Sequence, residues 1–95
     1  MAHILLFEPI HFYKDKKGTY AARILKLGLT AYGASKDEAR DKVQRMFRSF
    51  VNAHSLEKLE EKFRERSVRV EIHRDIPGWD KLEAAYGVTR VDIDD

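Results

Sequence analysis

The chain has 95 residues, 43% of them apolar and none of them cysteine, which allows one domain with one modest core and excludes disulfides, zinc–thiolate sites and thiol nucleophiles. No apolar run approaches the roughly 20 residues of a membrane span, and the N-terminus lacks the pattern of a signal peptide, so we expect a cytoplasmic protein. The formal net charge is only +2, and residues 67–95 carry four Lys/Arg against seven Asp/Glu, so the chain lacks the strong basic excess that is typical of a dedicated nucleic-acid binder.

Three antiparallel strands are predicted in the first third of the chain. Residues 4–13 are largely apolar, and we interpret them as one strand that is interrupted or bulged at Pro9, because proline cannot donate to a sheet ladder. Residues 14–18 form a polar turn that ends in glycine. Residues 19–25 alternate with period two, as a strand does, and residues 29–33 form a third strand that ends at a second glycine.

Two amphipathic helices are predicted next. Ser35 and Glu38 form a capping box, in which the Ser35 hydroxyl accepts from the Glu38 amide and the Glu38 carboxylate reaches back to the Ser35 amide. The apolar residues of this first helix recur at spacings of three and four: they are Ala39, Val43, Met46, Phe47, Phe50 and His54. Ser55 caps a shorter helix that continues to about Arg66.

The last third predicts one clear strand and a less regular tail. Val68, Val70 and Ile72 alternate with polar residues, which indicates a half-buried strand. Residues 76–95 form a tail with a short helix over residues 80–86 and a last strand over residues 88–93. The tail belongs to the same domain or binds a partner.

The order of these elements, β-β-β-α-α-β followed by the tail, is typical of an α+β fold. We predict an antiparallel sheet of three to four strands with the helices packed on one face. The domain covers residues 1–75, and residues 76–95 are the tail.

No catalytic, metal or cofactor motif is present. The histidines show neither helical ligand spacing nor an HExxH pattern; His11 and His73 could meet across neighbouring strands, but we identify no third ligand. The carboxylates near the sheet and first helix do not divide into one apolar and one polar environment, as a catalytic pair requires. No serine lies in a nucleophile motif, and no phosphate-binding loop is found. We therefore predict a binding module without a cofactor, not an enzyme.

One candidate surface would bind a protein partner. A strand as apolar as the one at residues 4–7 must be covered on both faces, by the tail or by another subunit. Tryptophan is favoured at the centre of interfaces, and the acidic tail could contact a basic partner. The candidate partner-binding residues are Ile4, Leu6, Trp79, Tyr86, Asp92 and Asp94.

The alternative surface would bind nucleic acid. It combines the lysines of the loop at residues 14–17 with the arginines of the first helix: Lys14, Lys16, Lys17, Arg40, Arg45 and Arg48. Tyr20 and Tyr32 would offer stacking faces if they are exposed. Asp37 and Asp41 are interleaved with the arginines, however, which favours an ordinary solvated helix face.

The region from residue 18 to residue 47 carries a recognisable set of residues. An aromatic follows a hairpin glycine, Leu-Gly-Leu stands at residues 27–29, and residues 33–39 fit the pattern G-x-T/S-x-x-E-A. The positions that carry the pattern are Gly18, Tyr20, Gly28, Gly33, Ser35, Glu38 and Ala39. This set resembles the HicB-like family of antitoxin-related domains, over about residues 4–73. The resemblance implies a β-β-β-α-β fold related to a degenerate ribonuclease-H sheet.

The resemblance also implies a function. A member of this family is expected to bind and neutralise a small basic toxin ribonuclease, to self-associate as a dimer or tetramer, and to have no catalytic activity. This chain departs from the family in three respects. It has Leu-Gly-Leu where Pro-Gly-Cys is common, it has a second helix before the last strand, and residues 74–95 contain no DNA-binding motif. The resemblance therefore implies a partner-binding or orphan member.

Overall fold

In a computed structural model, which describes residues 2–74 and 89–93, the chain folds as six strands and two α-helices. The predicted α+β class is confirmed. The described strands form two three-stranded antiparallel sheets where one sheet was expected. The sheets belong to two compact units, one made of Met1–Glu8 and His54–Asp95 and the other of Pro9–Ala53. Neither helix in these described ranges is long and apolar enough to cross a bilayer.

The strand predicted across Pro9 is in fact two strands. Strand β1 (Ala2–Leu6) belongs to the first sheet, and strand β2 (His11–Lys14) belongs to the second. The prediction of a single bulged strand is therefore wrong. Pro9 is exposed between the two strands, where its missing amide donor removes no ladder hydrogen bond.

The second unit contains a meander of three strands. Strand β2 pairs with β3 (Tyr20–Ile24), and β3 pairs with β4 (Leu29–Gly33). The predicted turn between β2 and β3 is confirmed: the Asp15 carboxylate accepts from the amides of Lys17 and Thr19, both at 2.9 Å. A 3₁₀ turn over Leu25–Leu27 connects β3 to β4.

Helix α1 (Lys36–Asn52) covers one face of this meander through contacts with β3 and β4. The Ser35 hydroxyl accepts from the Glu38 amide at 3.1 Å, as predicted. The Glu38 carboxylate accepts from the amide of Ala34, at 3.2 Å, and not from that of Ser35. Hydrogen bonds from Lys42 and then from the Ala34 amide hold the pKa of the Glu38 carboxyl below its usual value.

The buried face of α1 differs slightly from the predicted stripe. Its buried residues recur every four positions: they are Ala39, Val43, Phe47 and Val51. Met46 is 38% exposed, and Phe50 is half-buried. A stripe with a spacing of four excludes these two positions, because each lies one residue, about 100° of helix rotation, before a buried one.

In the first unit, β1 is the central strand. It pairs antiparallel with β5 (Val70–Arg74) on one side and with β6 (Thr89–Ile93) on the other. The second helix, α2 (Leu56–Glu65), begins at Ser55, whose hydroxyl accepts from the Lys58 amide at 3.3 Å. The predictions of α2, β5 and a last strand are confirmed; the helix predicted over residues 80–86 lies outside the described residues.

The apolar run in β1 is covered on both faces, as expected. Ile4, Leu5 and Leu6 are 0%, 0% and 1% exposed. Successive residues of a strand point to opposite faces of the sheet. Three consecutive buried residues therefore mean that neither face of this strand meets solvent at its centre.

A buried carboxylate closes one end of the β1–β5 ladder. The amide of Phe7 donates to the carbonyl of Arg69 at 2.8 Å. The amide of Arg69 donates in turn to Oε1 of Glu8 at 2.8 Å, and the Glu8 side chain is only 6% exposed. The Glu8 carboxylate thus takes the place that a backbone carbonyl of β1 would occupy if the ladder continued.

We predict that Glu8→Ala lowers the free energy of unfolding by about 1–3 kcal/mol, because the Arg69 amide loses its acceptor. Glu8→Gln keeps an oxygen acceptor and should lose less. Urea denaturation followed by circular dichroism measures both changes. Glu65→Ala, which removes an exposed carboxylate from α2, is the control. A Glu8→Ala loss no larger than that of Glu65→Ala would contradict the structural role of Glu8.

Candidate functional site

The sheet of the second unit has one covered face and one outer face. Ala22, Ile24 and Ala31 point to the face that α1 covers, and all three are buried. The residues between them in sequence point the other way, because side chains alternate along a strand. The outer face therefore carries a second set of residues that α1 does not cover.

Two rows of side chains make up the outer face. The register of the three strands aligns them as Tyr13, Ala21 and Tyr32 in one row, and as His11, Arg23 and Thr30 in the next. We name these the tyrosine row and the arginine row. Tyr13 is 50% exposed and Tyr32 is 61% exposed, which makes them the two most exposed large apolar side chains among the described residues.

The spacing of the tyrosine row follows from standard sheet geometry. Tyr13 and Tyr32 stand on the two outer strands, which are about 9.6 Å apart at the usual strand spacing. A flat group between two rings needs about 7–8 Å, since carbon atoms in contact are about 3.5–4.0 Å apart. Ala21, with its small side chain, lies between the two tyrosines in the register. The spacing of the strands is therefore sufficient for one flat group, such as an aromatic ring, a guanidinium group or a base.

The arginine row adds a fixed positive charge. Nε of Arg23 donates to Oγ1 of Thr30 at 3.2 Å. The guanidinium carbon of Arg23 lies 5.6 Å from the centroid of the Tyr13 ring, which is within the range of a cation–π contact. His11 is exposed beside Arg23 in the register. The outer face is thus aromatic and cationic, and neither row contains a carboxylate.

The lysine loop borders the tyrosine row. Lys14, Lys16 and Lys17 are exposed in and beside the β2–β3 turn, and the Lys14–Tyr20 pair comes next to the Tyr13–Ala21 pair in the register. The one carboxylate of this loop, Asp15, accepts from two amides of the turn. Of the predicted nucleic-acid residues, Lys16 and Lys17 lie in the turn beside the outer face, whereas Lys14 pairs with Tyr20 on the face that α1 covers.

The predicted arginines of α1 do not extend the outer face, because α1 covers the opposite face of the sheet. Arg40 pairs with Asp37, 3.2 Å between Nη1 and Oδ1, and Arg45 pairs with Asp41. Arg48 is exposed on the same helix. The mixed charges agree with the solvated helix face that the interleaved aspartates indicated.

The two tyrosines chosen from the sequence lie on opposite faces. Tyr32 is on the outer face. Tyr20 is half-buried and points to the same face as the buried Ala22, because the two residues are two positions apart on β3. The Lys14 ammonium lies 5.4 Å from the centroid of the Tyr20 ring. The sequence interpretation missed Tyr13, although Tyr13 and Ala21 could have been aligned by counting outward from the turn that ends at Gly18.

Most of the predicted partner-binding residues are not on the described surface. Ile4 and Leu6 are buried within the chain. Asp92 lies in β6 with a side chain that is 37% exposed, and its Oδ1 is 2.7 Å from Nδ1 of His3. Trp79, Tyr86 and Asp94 lie outside the described residues. Asp92 is therefore the member of this set that the described surface presents to solvent.

The family-like motif has structural roles in the second unit. Gly18 and Gly28 adopt positive φ angles of 87° and 67° at the two turns. A Cβ on Gly33 would lie 2.7 Å from the amide nitrogen of Ala39, so glycine is needed where β4 approaches the start of α1. Ala39 is fully buried. With the Ser35–Glu38 cap, these residues build turns, a close approach and a core position.

The histidines do not assemble a site of the predicted kind. His11 is opposite Arg23 in the second sheet, whereas His73 is opposite His3 in the first. The suggestion that His11 and His73 meet across neighbouring strands is therefore wrong, because they belong to different sheets. Within residues 2–74 and 89–93, no group of three or more histidines and carboxylates is arranged to hold a metal ion.

Comparison with known proteins gives no relative: no family model, no curated protein and no solved structure matches this chain. Its function is therefore inferred from the outer face of the second sheet and from the resemblance of the sequence.

Proposed function

We propose that this chain is a non-catalytic, cytoplasmic protein-binding module of the HicB antitoxin type, and that it neutralises a small toxin ribonuclease by docking it on the outer face of the second sheet. The observation that carries this proposal is the tyrosine row: two rings that are half or more exposed, on one face of a three-stranded sheet, with Arg23 against one of them. Tyrosine and arginine are among the residues that contribute most binding energy at protein interfaces.

The charge of the outer face constrains the partner. Arg23 is cationic, the exposed Lys16 and Lys17 lie in the turn beside the tyrosine row, and neither row carries a carboxylate. Complementary potentials favour association, whereas like charges placed together oppose it. The docking patch of the toxin is therefore expected to be acidic or aromatic, even if the toxin is basic overall because it binds RNA.

We predict that Tyr13→Ala and Tyr32→Ala each weaken toxin binding by about 30-fold, which corresponds to the roughly 2 kcal/mol of an interface hot spot. Isothermal titration calorimetry against the small protein encoded by the adjacent reading frame measures the change. Both variants should keep wild-type stability within about 1 kcal/mol, because the side chains are largely exposed.

Two controls separate binding from folding. Tyr32→Phe keeps the ring and should bind as the wild type does. Arg48→Ala removes an exposed cation from α1 and should also have no effect. The proposal fails if no small protein is encoded beside this chain or co-purifies with it, or if both alanine variants bind the toxin as tightly as the wild type.

A second candidate occupant of the same face is single-stranded nucleic acid. It is favoured by Lys16 and Lys17 in the turn beside the tyrosine row, because stacked bases with a cationic border are the usual basis of sequence-tolerant single-strand binding. The same two tyrosine variants are measured against a labelled single-stranded oligonucleotide at several salt concentrations. Three phosphate contacts would give a log–log salt slope of about −2. Absence of binding at low salt would exclude this candidate.

A further inference from the structure

We propose that strand β5 is a self-association edge, on which a second copy of this chain docks its own β5 antiparallel about a two-fold axis at Ile72. This surface lies in the first unit and does not depend on the outer face of the second sheet. The proposal can therefore fail or hold independently of the proposed function.

The backbone of β5 presents hydrogen-bonding groups on its outer side. Among the described strands of the first sheet, the order β5-β1-β6 places β5 at one edge. The Phe7 amide donates to the Arg69 carbonyl, so the backbone groups of Arg69 point toward β1. Because these directions alternate along an antiparallel strand, the amides and carbonyls of Val70 and Ile72 point away from β1. Such an edge is a template for another strand.

The side chains of β5 complement themselves in one register. A two-fold axis at Ile72 places Glu71 opposite the partner's His73, and His73 opposite the partner's Glu71. Within one strand, His73 Nε2 and Glu71 Oε1 are already 3.4 Å apart, and the two side chains are 27% and 54% exposed. In this register Glu71 and the partner's His73 form a non-hydrogen-bonded pair of the antiparallel ladder. Facing side chains are closest in pairs of this kind. Each contact is made twice.

Neighbouring registers are less favourable. An axis at Glu71 would place the two Glu71 carboxylates opposite each other, which is repulsive. An axis at Val70 would require Arg69 to pair with the partner's Glu71, but Nε of Arg69 lies 3.4 Å from the buried Glu8 carboxylate. The register at Ile72 uses two polar side chains, Glu71 and His73, that already lie together on the strand.

Two apolar residues, Val70 and Ile72, lie on the opposite face of β5, which also favours a second copy. They line an open hollow of about 550 Å³, whose other lining residues are the apolar Phe63 and Val68 and the polar Glu60, Arg64 and Ser67. Both strand residues are only half-buried. A paired β5 would add the partner's Val70 and Ile72 to this face, so that apolar contacts cover one side of the junction and Glu–His pairs the other.

The test measures the mass of the full chain by size-exclusion chromatography with light scattering over a range of concentrations. The wild type should show a concentration-dependent dimer. Glu71→Lys should weaken the dimer at least tenfold, because the carboxylate that faces the partner's His73 is lost on both sides of the axis. The charge-swapped double variant Glu71→Lys/His73→Glu should restore the dimer to within about threefold of the wild type.

The control is Glu65→Lys, which makes the same change of charge at an exposed position of α2 and should leave the dimer unchanged. Urea denaturation of each variant reports whether the monomer remains folded. A wild type that is monomeric at every concentration would overturn the proposal, and so would an unaffected Glu71→Lys variant. A double variant that does not recover would overturn the register at Ile72.

Discussion

Phe47→Ala is expected to lower the free energy of unfolding by about 3–5 kcal/mol, which is the range for removing a fully buried aromatic ring. Phe47 is 0% exposed and is the largest residue on the buried face of α1, the helix that contacts β3 and β4. A domain of this size has about 5–15 kcal/mol of stability in total. Urea denaturation followed by far-ultraviolet circular dichroism should show a large shift of the midpoint.

Met46→Ala is the matched control, because Met46 precedes Phe47 on the same helix but is 38% exposed. Its loss should be below about 1 kcal/mol. Equal losses for the two variants would mean that the buried face of α1 has been assigned incorrectly. The comparison therefore tests the four-residue spacing of the buried stripe as well as the size of the effect.

Gly33→Ala is expected to cost about 2–3 kcal/mol, which is toward the upper end for forcing an extra methyl group into a packed site. The new Cβ would lie 2.7 Å from the Ala39 amide nitrogen and 2.9 Å from the Glu38 Cβ. The first of these atoms belongs to the backbone of α1, so the start of the helix must move. Differential scanning calorimetry should show a fall in Tm of roughly 8 °C or more.

Gly28→Ala provides the comparison for this prediction. Gly28 has a φ of +67°, but a Cβ there would meet nothing within 4 Å. The substitution should cost only the strain of a left-handed residue, about 1–2 kcal/mol. If Gly33→Ala cost less than Gly28→Ala, the glycine of the family-like motif would not be explained by the close approach of β4 to α1.

Features that depend on neighbouring residues were predictable from the sequence. The Ser35 cap, the turn that ends at Gly18 and the alternation of β3 each involve residues a few positions apart, and all are confirmed. The limits of α1 follow from the same local rules. The Glu38 carboxylate accepts from the amide of Ala34 and not from the expected amide of Ser35. The flexible Glu38 side chain can reach either amide, so local sequence does not distinguish them.

The assignment of the residues before and after Pro9 to different sheets could not be predicted in this way. Residues on both sides of the proline are apolar and suit a strand equally well. Their assignment to different sheets depends on pairing of β1 with β5 and β6, far along the chain. Local pattern contains no information on such distant partners. For the same reason, His73 was paired with His11 in the prediction and is opposite His3 in the structure.

The candidate binding face was predicted in part. Tyr32, Lys16 and Lys17 were proposed from the sequence, and they lie on the outer face or in the turn at its border, whereas Lys14 lies with Tyr20 on the opposite face. Tyr13 and Arg23 were not proposed, because their role requires the register of three strands. The arginines of α1 seemed equally suitable in the sequence, but the helix covers the other face. Surface position, unlike residue type, depends on which face is buried.

The order of strands in the first sheet has a consequence for how the protein is made. β1 leaves the ribosome before β5 and β6, the strands with which it pairs; the contact between His3 and Asp92 spans 89 positions. The second unit, Pro9–Ala53, is continuous and is built from local hairpins and one helix, which form quickly. We therefore expect the second unit to fold during translation while the apolar β1 remains unpaired, which makes Ile4, Leu5 and Leu6 the segment that a chaperone would hold until β5 and β6 have been synthesised.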